Sequence, residues 1–191
     1  MAQAFETLDK NLAILLDAAG GEHDIIVFSD HSQFNVHTVL TPNDILVSEG
    51  LLSNGGDGYV IGNSGCFIEC CGGTAFFHTG TLSAADIKRI RALIEGGEGF
   101  RRFISDGEMR ESGYTDAAFG FCAQMGYAYG AFASGEKANH GYPLDMPGSQ
   151  VFYMIRGDGH VPGSVTRGGS LLEIAPMIAR RLGLNLDIRQ L

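Results

Sequence analysis

No apolar run in this 191-residue sequence approaches the roughly 18 to 20 residues needed to span a bilayer. A transmembrane helix is thereby excluded. The opening MAQAFETLDK has neither the basic start nor the apolar stretch of a signal peptide, so a cytoplasmic protein is expected. Basic residues are scarce, 13 Lys and Arg against 22 Asp and Glu, for a net charge of −9. That balance argues against nucleic acid and anionic membranes as partners, since both demand positive charge. Cysteine is sparse: Cys66, Cys70, Cys71 and Cys122 lack the Cys-x2-Cys pairs of structural zinc sites. Reduced thiols acting as small hydrophobes are the expected state. A G-x-S-x-G elbow, a Walker loop and a G-x-G-x-x-G opening a helix are all missing. Gly157-Asp158-Gly159 has no helix after it to make a phosphate cradle.

Hydrophobic residues make up 45% of the chain and charged residues 18%, which excludes disorder and supplies a core. On length, one domain spanning 1–191 is expected. Glycine, at 28 residues, has about twice its average share, which signals tight turns and close backbone approaches. Phe5, Leu8, Leu12, Leu15, Leu16 and Ala19 share one helical face, stopped by Gly20-Gly21. Asp24 to Ser29 then reads as a buried strand of a parallel sheet, with Asp30 and His31 at its carboxyl end. Glycine-broken short strands follow, an insertion of roughly 55–135. Inside it Ser83 and Asp86 open a helix striped by Ile87, Ile90 and Ile94. Phe119 to Tyr129 alternates bulky and small residues, as one strand does. Val151 to Ile155 is a second buried-strand run. The final helix begins near Leu172 to Ile174, which keeps Pro176 in its first turn. The expected fold is α/β, a partial parallel sheet flanked by helices.

Two places carry candidate chemistry. Asp30-His31 sets a carboxylate beside an imidazole at a strand end, a donor pair suited to zinc, manganese or iron. Equally, Asp30 can cap a turn with His31 as a partly exposed polar residue. His140 lies in a loop ahead of a strand, where Gly141 lets the backbone approach a bound group. His23, His37, His78 and His160 read as structural or surface residues, although the glycine loop of His160 can face either a site or solvent. Ser32 is a possible accessory because it adjoins Asp30-His31.

Taken in order, Ile25-Ile26-Val27-Phe28-Ser29-Asp30-His31, then Asn43-Asp44-Ile45-Leu46 and Glu49-Gly50-Leu51-Leu52, resembles the type I phosphodiesterase/nucleotide pyrophosphatase family of the alkaline phosphatase superfamily. Gly126-Tyr127, His140-Gly141-Tyr142-Pro143, Met146-Pro147, and Glu173-Ile174-Ala175-Pro176-Met177-Ile178-Ala179 with Leu182-Gly183 continue the resemblance along nearly the whole chain. It implies an alkaline phosphatase-like fold and a hydrolase of phosphate esters using two divalent metals, zinc foremost. Asp30 and His31 would hold one metal and His140 the other. The family's upstream aspartate, nucleophile and Asp-x3-His have no counterpart in these residues. Ser32 stands for a glycine and Glu173 for an aspartate. Two ligands for one metal and one for the other fall short of the three or four that tight zinc sites use. The chain is therefore expected to be the C-terminal half of such a hydrolase and inactive alone, its nucleophile unknown. A self-sufficient metal hydrolase around Asp30, His31, His140 and His160 is the rival enzyme. A non-catalytic module binding an anion or a partner is the alternative of another class. A homo-oligomer, or a separate N-terminal half, is expected to cover Ile25 to Phe28 and Val151 to Ile155.

Overall fold

The computed structural model describes residues 2–21, 23–55, 58–157, 159–165, 168–184 and 186, so Asp158 lies outside the described residues. In chain order the elements begin with α1 (Ala2–Ala19), β1 (Ile25–Phe28), β2 (Phe34–Leu40), α2 (Asn43–Ser48), β3 (Leu52–Asn54) and β4 (Tyr59–Ile61). Then come β5 (Phe67–Cys71), β6 (Thr74–His78), α3 (Ala84–Glu95), β7 (Phe100–Phe103), α4 (Asp106–Glu111) and β8 (Phe119–Ala123). The chain closes with β9 (Gly126–Tyr129), β10 (Ala138–Asn139), β11 (Tyr153–Arg156), a 3-10 turn (Leu171–Glu173) and α5 (Ile174–Arg181). It is a mixed α/β protein with several small sheets. Among the described residues, no helix is long and apolar enough to cross a membrane. The elements group into two compact units, 1–30 with 151–191, and 31–150; the glycine-rich stretch 55–135 lies inside the second.

In the first unit, β1 and β11 pair antiparallel, Ile25 opposite Arg156 and Phe28 opposite Tyr153. This corrects the parallel arrangement expected from their apolar runs. The chain leaves the unit after β1 and re-enters before β11, and antiparallel pairing sets those two points side by side. The Ser29 N–H extends the ladder by donating to the Phe152 carbonyl, at 3.0 Å. Burial is also less than the runs suggest, with Phe28 47% and Met154 51% exposed. A two-stranded sheet has two faces to cover, and a continuous apolar run says only that both prefer cover. α1 follows its periodicity and stops at Gly20, yet Phe5 and Leu8 on its stripe stay exposed. Before α5, the Ser170 hydroxyl accepts from the Leu172 N–H while the Glu173 carboxylate accepts from the Ser170 N–H, a reciprocal cap. Pro176 sits in the first turn of α5, where its missing N–H costs nothing. Arg181 on α5 pairs with Asp24 just ahead of β1.

The second unit is built on an antiparallel sheet ordered β5-β6-β8-β7, with β10-β2-β9 beside it and the hairpin β3-β4 apart. Its one described parallel pair is β2 with β9. The run 119–129, expected as one strand, is two: β8 stays in the four-strand sheet, the chain turns at Gln124, and β9 joins β2. Period two reports alternation, not which neighbour each half will find. A bridge between Gly72 and Tyr129 links the two sheets. Leu46, Phe77, Ile90 and Phe121, all fully buried, centre the core between sheet, α2 and α3. The Ser83 hydroxyl caps α3 by accepting from the Asp86 N–H, as its sequence indicates.

Candidate functional site

β10 lies antiparallel on β2 with Asn139 opposite Phe34. Beyond that pair, one chain runs forward to His140 while the other runs back through Gln33 and Ser32 to His31. Strand pairing across more than a hundred residues of sequence thus brings two imidazoles together. Their ring centroids are 4.0 Å apart and the planes differ by 27°. Both side chains are exposed at this corner of the second unit.

Each ring is anchored through its own backbone neighbourhood. His31 Nδ1 lies 3.0 Å from the Ser32 carbonyl. A carbonyl only accepts, so Nδ1 carries the proton and a neutral ring keeps its lone pair on Nε2. Ser32 enters the site through that carbonyl. At His140 the backbone N–H donates to Asn139 Oδ1, at 2.7 Å, and the carbonyl accepts from the Gly73 N–H, at 2.8 Å. Downstream, the Tyr142 hydroxyl donates to the Tyr127 carbonyl at 2.5 Å and its ring packs on Phe34, centroids 4.8 Å apart. Arg101 donates two hydrogen bonds to Asp145, at 3.0 and 3.1 Å, and fixes the same loop to β7.

Asp30, the chain neighbour of His31, is the last residue of the first unit, and His160 is an exposed residue of that unit. His37 meets Tyr127 edge-on and hydrogen-bonds Thr38; His78 stacks on Phe67 and pairs with Glu69. All four cysteines are free thiols. Burial pushes Cys70 up to about 12 and Cys122 to about 11, and raises Cys71 as well, so these three are poor nucleophiles at neutral pH. Among the described residues, no group of three or more His, Cys, Asp or Glu is placed to hold a metal ion.

The chain matches no family model, no curated protein and no solved structure. The geometry of the pair therefore bears on the chemistry by itself. A single ion requires lone pairs that converge, whereas rings stacked within 27° of parallel hold their in-plane lone pairs in nearly parallel planes. The 4.0 Å between the ring centroids is of the order of the roughly 3.5–4 Å that separates the two ions of paired metal sites. Sequence inspection named both histidines but not what sets them: Asn139 and the Gly72-Gly73 turn. Their signal was the adjacent glycines between two apolar runs, which marks a hairpin but not its neighbour.

Proposed function

We propose that Asp30, His31 and His140 contribute ligands to a two-metal centre, zinc foremost, in a hydrolase of phosphate esters with an alkaline phosphatase-like fold. The observation that carries this reading is the stacked pair, one imidazole for each of two ions. When bound, the metals supply charge for the attacking and leaving oxygens of a displacement at phosphorus. The chain's own part is to hold His31 in one tautomer by the Ser32 carbonyl, to fix His140 by its backbone, and to add the Asp30 charge. Three ligands are too few for two tight sites. The other ligands and the nucleophile are supplied by polypeptide beyond these three residues, either a separate N-terminal half or a second copy. Free thiols in all four cysteines support a cytoplasmic setting for this activity.

Zinc titration of the whole chain by calorimetry tests the reading, alongside assays on p-nitrophenyl phosphate monoesters and diesters. The expected result is modest zinc binding that falls on His31→Ala and equally on His140→Ala, with no turnover. Zinc binding indifferent to both substitutions would overturn the site. Robust turnover abolished by Asp30→Ala would instead establish a centre complete within the chain.

A further inference from the structure

We infer that Asn139 and the Gly72-Gly73 turn are the positioning residues of His140, a backbone clamp that holds its ring against His31. The inference rests on the reading of His140 as a metal ligand. The turn is itself held by the sheets behind it. The Tyr129 N–H on β9 donates to the Gly72 carbonyl at 2.7 Å, and the Ala123 N–H on β8 donates to the Gly73 carbonyl at 2.9 Å. In front, the Gly73 N–H grips the His140 carbonyl at 2.8 Å. The Asn139 side chain closes the other side: Oδ1 accepts from the His140 N–H at 2.7 Å, and Nδ2 donates to Glu136 at 2.8 Å. Both backbone polar groups of His140 are thus bonded, although the side chain between them is exposed.

The fit leaves no room for a side chain at the turn. Gly72 has φ +71, and a Cβ there would overlap both the His140 carbonyl oxygen and Asn139 Oδ1. A Cβ on Gly141 would overlap the Cys71 carbonyl from the opposite direction. The strand that follows His31 is bound to the same frame, since β2 pairs with β9. One braced turn therefore sets the relation between the two rings, as groups behind metal ligands do when they fix ring orientation.

Gly113 provides a matched control, because its φ of +75 imposes the same backbone strain while a Cβ there would meet nothing within 4 Å. The experiment compares, in the full chain, Gly72→Ala, Gly113→Ala, Asn139→Ala and Asn139→Asp, the last made together with Glu136→Gln so that no second carboxylate faces the new one. It reads proton–proton NOEs between the two labelled histidine rings, and zinc affinity by competition with a chromogenic chelator. Gly72→Ala and Asn139→Ala are expected to lose the inter-ring NOEs and to weaken zinc binding by about tenfold or more. Gly113→Ala is expected to keep both, as is Asn139→Asp made together with Glu136→Gln, where the acceptor oxygen is retained and an amide faces it in place of a second carboxylate. If Gly72→Ala fails to fold, Asn139→Ala against Asn139→Asp decides. Intact NOEs and zinc affinity in a folded Asn139→Ala would overturn the clamp. NOEs that respond as expected in a chain whose zinc binding ignores both histidines would keep the clamp and sink the metal reading alone.

Discussion

Asn43 is buried at the start of α2, and its amide faces β5, the outer strand of the four-strand sheet. Nδ2 donates to the Ile68 carbonyl and Oδ1 accepts from the Ile68 N–H, both at 2.8 Å. One side chain thereby stands in for a neighbouring strand and blocks the sheet edge. Asn43→Leu strands both Ile68 groups away from water, at a cost of about 1–3 kcal/mol for each buried group left unpaired. Urea denaturation reads this directly, and a loss within experimental error of zero would contradict it. Glu108 offers a pH test. Hydrogen bonds from Arg102, then from the Ser105 N–H and hydroxyl, bring its carboxyl down to about 2. The folded state then binds fewer protons than the unfolded state between about pH 4.5 and 2, so stability falls as pH drops through that window. Thermal melts across it should show a shallower decline for Glu108→Gln than for the parent chain. Equal declines would mean that Glu108 does not drive the acid limb.

Single helices and strands carry their own consequences. On α3 the stripe read from the sequence puts Ile90 fully inside and leaves Leu93 42% exposed. Ile90→Ala should cost about 2–5 kcal/mol and Leu93→Ala well under half as much, measured by chemical denaturation. Similar losses at both positions would mean a rotated helix. α1, α3 and α5 were legible because each is long enough to display a period, and all three have recognisable caps or glycine stops. α2 and α4, six residues each, show no period, although Ser105 with Glu108 wrote a capping box ahead of α4. β1 and β11 were legible as strands but not in direction, which the route of the intervening chain decides and no local residue encodes. The site divides the same way. Residue chemistry singled out His31 and His140, while their contact depends on the pairing of β10 with β2, a tertiary event.

At the scale of the molecule, apolar surface remains on α1, β1 and β11, where Phe5 is 64% exposed and Met154 51%. Clustered apolar exposure is the ground on which association is expected. Sedimentation at micromolar concentration should reveal a dimer or larger species, or a monomer that binds a hydrophobic dye strongly. A compact monomer with low dye binding would show these faces to be covered. The antiparallel pairing of β1 with β11 has a further effect during synthesis. Ile25-Ile26-Val27-Phe28 leaves the ribosome about 120 residues ahead of its described partner strand, some 6 to 25 seconds at usual elongation rates. For that interval the second unit can fold while an uncharged apolar strand waits unpaired. Nascent-chain chaperones should therefore dwell on residues 25–28 until residue 156 has emerged, and slowing translation should lengthen that dwell.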